Sequence, residues 1–204
     1  MSIDEATAVV LAGGQARRFG GTDKAFLQLD GKYLIEYLLH PLERLFPEIV
    51  VVTQDPSRYR NYPVTAITDI VDEGGSLAGI YTGLQVSSHQ MNFVAACDMP
   101  FLNEDFITYL ADEMWNNDYD VVLPRKNSHV EPLHGFYSKR CLKPIRKSLQ
   151  ENRFRIISFF SCVRTRLIPE SISRSYDDSL KMFMNINDPA DMKRASRILK
   201  ERTK

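Results

Sequence analysis

Short runs of consecutive apolar residues recur along this 204-residue chain and constrain its fold more than any other feature. Most of them are continuous rather than alternating in polarity, and they lie at Ala8–Leu11, Ile49–Val52, Val64–Thr68, Phe93–Ala96, Val121–Leu123 and Gly135–Tyr137. A continuous apolar strand is buried on both faces, so the pattern predicts an α/β fold with a mostly parallel central sheet covered by helices. The less regular stretch 126–167 is expected to hold antiparallel strands beside that sheet.

Helical stretches are predicted between and after these runs, at Tyr33–Phe46, Leu77–Val86, Glu104–Trp115, Cys141–Leu149 and from about Asp188 onwards. Pro41 is expected to kink the first helix or end it early, and Pro144 to interrupt the fourth. Asn103 and Asp188 are predicted helix caps, with Pro189 at the first position of the last helix. No repeat, low-complexity tract or linker divides the chain, so one domain over residues 1–204 is expected.

Composition excludes several classes of protein. Lys+Arg and Asp+Glu both number 26, so no overall basic field would attract nucleic acid or an anionic membrane. The three cysteines lie far apart, and neither they nor the four histidines have metal-ligand spacing, which excludes a disulfide scaffold or a zinc site. No apolar run approaches the ~20 residues of a membrane span, and the chain starts with acidic residues, so a cytoplasmic location is expected.

The most informative segment is the glycine-rich stretch Leu11–Lys24, LAGGQARRFGGTDK, directly after the first predicted strand. Its glycines allow consecutive backbone N–H groups to converge on a phosphate, and its cations neutralise phosphate charge. The motifs of P-loop NTPases and of dinucleotide-binding Rossmann proteins are both absent. A glycine-rich loop at the carboxyl end of a buried strand lies where open α/β sheets bind ligands, which favours a triphosphate site over a solvated surface loop.

This stretch, together with Leu29–Lys32, resembles the molybdenum cofactor guanylyltransferases, which are nucleotidyltransferases. Later landmarks of that family follow in the same order, at Asp69, Gly75–Gly79, Cys97–Pro100, Glu131–His134 and Asn185–Pro189. The resemblance implies a single three-layer, Rossmann-like domain of the glycosyltransferase-A-like type. It also implies a nucleotide-binding half over about 1–100 and an acceptor-binding half over about 101–204.

The activity implied by the resemblance is transfer of GMP from Mg-GTP to the terminal phosphate of molybdenum-loaded molybdopterin, with release of pyrophosphate. GTP and molybdopterin are the implied partners, and transient contacts with other proteins of molybdenum cofactor biosynthesis and with target proteins are expected. Two other transfers remain open, namely cytidylyl transfer to molybdopterin and nucleotidyl transfer to a sugar or polyol phosphate. A non-catalytic nucleotide-binding protein is a further alternative.

Asp98 and Asp69 are the candidate carboxylates, because each follows a predicted strand. Mg²⁺ needs only one or two carboxylates besides substrate phosphates, so Asp98 is predicted to bind it; the alternative is a turn or helix-capping aspartate. The resemblance assigns Asp69 to nucleotide binding, whereas the sequence alone leaves a turn residue equally open.

The predicted catalytic residues are Lys24, Arg18 and Asp98. They are expected to neutralise charge at the α-phosphate and at the departing pyrophosphate, Asp98 through its bound Mg²⁺. Leu11, Ala12, Gly13 and Gly14 are predicted to bind the nucleotide through the loop backbone, and Gly75 to allow close approach of the backbone to a ligand.

Asn185 and Asn187 alternate across Ile186, so in an extended segment both amides face one side. The resemblance places them and Arg155 near the acceptor pocket; the alternatives are helix capping for the asparagines and a solvated cation for Arg155. Thr53 and Phe154 depart from the family pattern, since some members carry an asparagine at the first position and an arginine at the second.

Overall fold

The computed structural model describes residues 3–13, 15–16 and 22–202. Its strands are β1 (Ala6–Ala12), β2 (Gln15–Ala16), β3 (Thr22–Asp23), β4 (Gln28–Leu29), β5 (Lys32–Tyr33), β6 (Glu48–Thr53), β7 (Thr65–Ile67), β8 (Met91–Ala96), β9 (Val121–Lys126), β10 (His129–Val130), β11 (His134–Ser138) and β12 (Thr165–Ile168). Its α-helices are α1 (Leu34–Leu45), α2 (Ser76–Val86), α3 (Glu104–Asn117), α4 (Leu142–Gln150), α5 (Glu170–Tyr176) and α6 (Pro189–Arg202). None of the helices in these ranges is long and apolar enough to cross a membrane.

The central sheet has the strand order β10-β9-β11-β8-β1-β6-β7, and β12 pairs with β9. Strands β8, β1, β6 and β7 are parallel to their neighbours in that set, whereas β11 is antiparallel to both β8 and β9. The predicted α/β class with a mostly parallel sheet is therefore confirmed. Antiparallel strands do lie in the stretch 126–167, as β10 and β11, although β12 at its end pairs in parallel.

Both faces of the sheet are buried, which explains the continuous apolar runs. On one face, Val10 and Val51 pack in a core with residues of α1 and α3. On the other face, Val9 and Val50 pack against α2 and α4. Because side chains alternate along a strand, consecutive valines pack against helices on opposite faces of the sheet. The result is a three-layer arrangement of helix, sheet and helix.

The helix predictions hold with two corrections, both at prolines. Helix α1 does not end early, because it continues past the buried Pro41 to Leu45. Pro144 does not interrupt α4, since it lies in the first turn, where a backbone N–H has no partner within the helix. The predicted caps are confirmed: Asn103 accepts a hydrogen bond from the N–H of Phe106 at 2.9 Å, and Asp188 caps α6 in the same way.

The carboxyl ends of β1, β6, β7 and β8 lie at one edge of the sheet, because these strands are parallel. The loop that follows β8 is joined to the end of β1 by a hydrogen bond from the Cys97 N–H to the Leu11 carbonyl, 3.1 Å long. Segments that are far apart in sequence thereby meet at one edge, where α/β proteins bind ligands.

Candidate active site

A cleft of about 410 Å³ opens at this edge of the sheet. Six residues predicted from the sequence line it, namely Leu11, Gly13, Lys24, Asp69, Gly75 and Asp98. Ala12 is buried at the end of β1 beside them. Gly14 and Arg18, the other predicted residues of the glycine-rich stretch, lie outside the described residues.

Lys24 begins a short 3-10 helix, Lys24–Phe26, whose position is fixed by the preceding residue. The Oδ1 atom of Asp23 accepts a hydrogen bond from the Ala25 N–H at 3.0 Å, and Oδ2 pairs with Arg58 at 3.3 Å. The Arg58 guanidinium in turn lies over the Phe26 ring, 3.8 Å from its centroid. Partial burial raises the pKa of Asp23, while the hydrogen bond from Ala25 and the charge of Arg58 oppose that shift.

Neither Asp23 nor Arg58 was predicted as a site residue. An aspartate directly before a short helical segment is a capping signal, so Asp23 could have been found that way. Arg58 comes from a different part of the chain and carries no such local signal.

The ammonium group of Lys24 contacts two segments that are distant from it in sequence. It lies 2.9 Å from Oδ2 of Asp98 and 2.7 Å from Oδ1 of Asn187. The side chains of Lys24 and Asp98 are only 17% and 14% exposed, so the pair is partly shielded from bulk water, which strengthens the Coulomb attraction between the two charges. The glycine-rich segment, the end of β8 and the segment before α6 thus meet at one lysine.

Asp98 follows the end of β8 by two residues, and its backbone is also tied to the segment before α6. Its carbonyl accepts a hydrogen bond from the Ile186 N–H at 2.9 Å. No group of three or more His, Cys, Asp or Glu in the described ranges would hold a metal without a substrate. One partly buried carboxylate at the cleft does fit Mg²⁺ that arrives with phosphates, because that ion keeps several waters and needs few protein ligands.

Asp69 follows the end of β7 by two residues. It lines the cleft on the side away from Asp98, because β7 lies three strands away from β8. Its Oδ1 atom is 3.1 Å from the hydroxyl of Thr82, a buried residue of α2. Partial burial raises the pKa of the Asp69 carboxyl, and the hydrogen bond from Thr82 opposes this shift by stabilising the ionised form. Thr82 was not predicted, because a threonine inside an apolar helix carries no signal of a functional contact.

Gly75 precedes α2 and has a φ of +55°, a conformation that favours glycine. A Cβ atom at this position would meet nothing within 4 Å, so backbone conformation rather than crowding within the protein requires the glycine. The first turn of α2 therefore starts in the cleft, where free N–H groups of a helix N-terminus suit an anion or a polar ligand edge.

The residues predicted to bind the acceptor do not line the cleft, unlike most of those predicted to bind the nucleotide. Ile186 is buried in a small cluster with residues of β4 and α6; Asn185 before it is partly buried and Asn187 after it is exposed. Helix α6 is capped by Asp188, so capping does not account for the two asparagines. Asn187 reaches Lys24, whereas Arg155 is an exposed residue before the 3-10 helix Ile156–Cys162 and does not line the cleft.

The two residues that depart from the family pattern, Thr53 and Phe154, both lie outside the cleft lining. Thr53 is buried at the end of β6, where its hydroxyl accepts a hydrogen bond from the Asp55 N–H at 3.3 Å. Phe154 is an exposed aromatic residue.

The fold and the site define a nucleotidyltransferase, in which a glycine-rich strand end, a lysine and an aspartate converge at the carboxyl edge of an α/β sheet. A family model described as "MobA-like NTP transferase domain" matches residues 8–162. The chain belongs to the molybdenum cofactor guanylyltransferase family, within these MobA-like NTP transferases.

Three relatives give the extent of the similarity. A "Molybdenum cofactor guanylyltransferase" of Desulfosudis oleivorans is 36% identical over 97% of this chain and 98% of its own. A "Probable molybdenum cofactor guanylyltransferase" of Natranaerobius thermophilus is 34% identical over 96% and 97%. The crystal structure of molybdopterin-guanine dinucleotide biosynthesis protein A from Archaeoglobus fulgidus covers 96% of this chain and 99% of its own, with 29% identity and a TM-score of 0.84.

Proposed function

We propose that the protein transfers GMP from GTP to the terminal phosphate of molybdenum-loaded molybdopterin and releases pyrophosphate. The observation that carries the proposal is the meeting of Lys24, Asp98 and Asn187, because it joins the predicted nucleotide side to the predicted acceptor side. The names of the relatives supply the substrates, and the site supplies a place where they would meet. In this proposal, residues of about 1–100 bind the nucleotide and residues of about 101–204 bind the acceptor within one domain.

The triphosphate is proposed to lie between the strand end at Leu11–Gly13 and the Lys24 ammonium group. Gly13 leaves open space where a side chain would project, since a Cβ there would meet nothing within 4 Å. Backbone N–H groups can therefore approach phosphate oxygens closely. We include Gly14 and Arg18 in this site on the strength of the family motif.

Asp98 is the residue proposed to hold Mg²⁺, together with phosphate oxygens of the nucleotide. The bound ion supplies neutralisation of charge at the phosphates and orients them for attack. Lys24 pairs with the Asp98 carboxylate, so its cation lies where the proposed reaction needs positive charge. When the nucleotide binds, Lys24 is expected to pair with phosphate oxygens as well.

The reaction requires positioning rather than proton transfer. A phosphate monoester has its second pKa near ~6, so the acceptor phosphate is already mostly dianionic at pH 7. One of its oxygens attacks the α-phosphorus of GTP and forms a new P–O bond, while the bond from that phosphorus to the β-phosphate bridging oxygen breaks. The electron pair leaves with pyrophosphate, and Lys24 stabilises the developing charge.

Pyrophosphate release from each of the four ribonucleoside triphosphates, with and without molybdopterin, tests the proposal. We expect release with Mg-GTP only when the acceptor is present. In an Asp98→Asn variant, the rate of acceptor-dependent pyrophosphate release should fall at least about 100-fold, which is the usual effect of removing one electrostatic stabiliser. Asp105→Asn, on the exposed side of α3, is the control and should keep the wild-type rate.

Each alternative has a distinct outcome in the same assay. Release with CTP and molybdopterin would indicate cytidylyl transfer, and release with a sugar or polyol phosphate would indicate a different acceptor class. Either result would overturn the proposal. A cytoplasmic location and transient contacts with partner proteins remain predictions.

A further inference from the structure

Thr82 lies directly behind Asp69, and its side chain is fully buried in α2. Its hydroxyl oxygen accepts a hydrogen bond from the Ile70 N–H at 3.1 Å and lies 3.1 Å from Oδ1 of Asp69. A carboxylate only accepts, so the hydroxyl proton donates to Asp69. The threonine therefore holds one oxygen of this carboxylate at a fixed position beside the cleft.

Asp69 follows β7 and Asp98 follows β8, and these strands lie three positions apart in the sheet. Neighbouring strands are about 4.8 Å apart, so the two carboxylates are separated by about 14 Å along the edge. A nucleotide with its phosphates at Asp98 would thus extend its base towards Asp69, over the apolar side chains of Leu11, Val52 and Ala78.

The hydrogen-bonding edges of the four bases differ in what they offer a carboxylate. Guanine presents two adjacent donors, the ring N1–H and the 2-amino group. Adenine and cytosine each present one amino group beside a ring nitrogen that accepts, and uracil presents one N–H between two carbonyl oxygens. Because both oxygens of an ionised carboxylate are acceptors, guanine alone matches them with two donors.

We propose that Thr82 is a positioning residue for base selection, which orients Asp69 so that its two oxygens accept from the N1–H and the 2-amino group of guanine. This inference rests on the proposed function, because it takes GTP as the substrate. Oδ1 keeps a second lone pair after accepting from Thr82, and no hydrogen bond to Oδ2 is found among the described residues. Burial raises the pKa of Asp69, and the hydrogen bond from Thr82 opposes this shift in favour of the ionised carboxylate that this recognition needs.

Nucleotide binding to the full-length protein, measured by calorimetry with Mg²⁺ and no acceptor, tests the inference. The ligands are GTP and ITP, which differ only in the 2-amino group. For the wild-type protein we expect GTP to bind about 10- to 100-fold more tightly than ITP, the range for one hydrogen bond to a charged group.

Three variants separate a positioning role from a structural one. Thr82→Val keeps the shape and removes the hydroxyl, so the preference for GTP over ITP should fall to less than about threefold, mainly through weaker GTP binding. Thr82→Ser keeps the hydroxyl and should restore the wild-type preference. Thr108→Val removes a hydroxyl from the exposed face of α3 and should leave the preference unchanged.

Several outcomes would overturn the inference. A Thr82→Val protein that keeps the wild-type ratio of GTP to ITP affinity would do so, and so would a wild-type protein that binds the two nucleotides equally. If Thr82→Val does not fold, Thr82→Ala, which also removes the hydroxyl, provides the same comparison and carries the same expectation. A wild-type protein that binds no guanine nucleotide would instead contradict the proposed function, so the two failures are distinguishable.

Discussion

At the scale of single residues, Lys24 has the most consequential contacts in the cleft. It pairs with Asp98 and also reaches Asn187, a residue 163 positions away in the sequence. In the proposed function, a cation in this place would neutralise phosphate charge in the transition state. Lys24 also connects the segment that precedes α6 to the end of β8, and in that proposal these are the acceptor side and the nucleotide side.

Replacing Lys24 by methionine should lower acceptor-dependent pyrophosphate release by about 100- to 1000-fold, because the variant keeps the side-chain length and loses the charge. Lys193→Met is a matched control, since Lys193 is exposed on α6 and does not line the cleft. Steady-state rates at saturating GTP measure the effect. A Lys24→Met enzyme within tenfold of the wild-type rate would remove this lysine from the proposed catalytic group.

At the scale of elements, helix α2 connects the core to the cleft. Its first turn lines the cleft, and its next turns pack on β1 through two glycines. A Cβ atom at Gly79 would lie 3.0 Å from a methyl carbon of Leu11, and one at Gly83 would lie 2.2 Å from Cγ1 of Val9. The close approach of helix and strand thus depends on residues without side chains, and it also sets the position of Thr82.

Gly83→Ala should destabilise the protein by about 1–3 kcal/mol, because the new methyl group overlaps the buried Val9 side chain. Urea unfolding followed by circular dichroism measures the change. Gln85→Ala on the exposed side of the same helix is the control and should stay within about 0.5 kcal/mol of wild type. Equal or greater stability of Gly83→Ala would contradict this expectation, because the gain in helix propensity of about 1 kcal/mol would then offset the whole cost of the overlap with Val9.

At the scale of the whole molecule, the sheet order brings the strand ends that carry Leu11, Asp69 and Asp98 to one edge. The parallel sheet could be predicted from its continuous apolar strands, and the caps Asn103 and Asp188 from local chemistry. Strand order, the contact of Lys24 with Asn187 and the role of Thr82 could not, because each depends on residues distant in sequence. Pro41 does not end α1 early and Pro144 does not interrupt α4, because the cost of a proline depends on its position in the helix and on the packing around it.

The core also predicts how stability changes with pH. His134 is fully buried, neither of its ring nitrogens has a hydrogen-bond partner among the described residues, and three phenylalanine rings surround it. Burial lowers the pKa of His134 to about 3. The unfolded chain, with a histidine pKa near 6.5, therefore binds a proton that the folded protein excludes, so this contribution to stability is present above pH 6.5 and is lost as the pH falls towards 3.

The measurement is the free energy of urea unfolding of wild type and His134→Leu at pH 7, 6 and 5. His134→Leu should lose less stability over this range than the wild-type protein, whatever its stability at pH 7. His129→Leu, at an exposed histidine, should retain the wild-type slope. Identical slopes for His134→Leu and wild type would mean that His134 is protonated as easily in the folded protein as in the unfolded chain.

A crystal structure of the protein with Mg²⁺ and a non-hydrolysable GTP analogue would show where the nucleotide and the ion bind. We expect the triphosphate between Gly13 and Lys24, the ion on Asp98 and the guanine edge on Asp69. A triphosphate bound outside this cleft, or an ion with no contact to Asp98, would contradict the proposal.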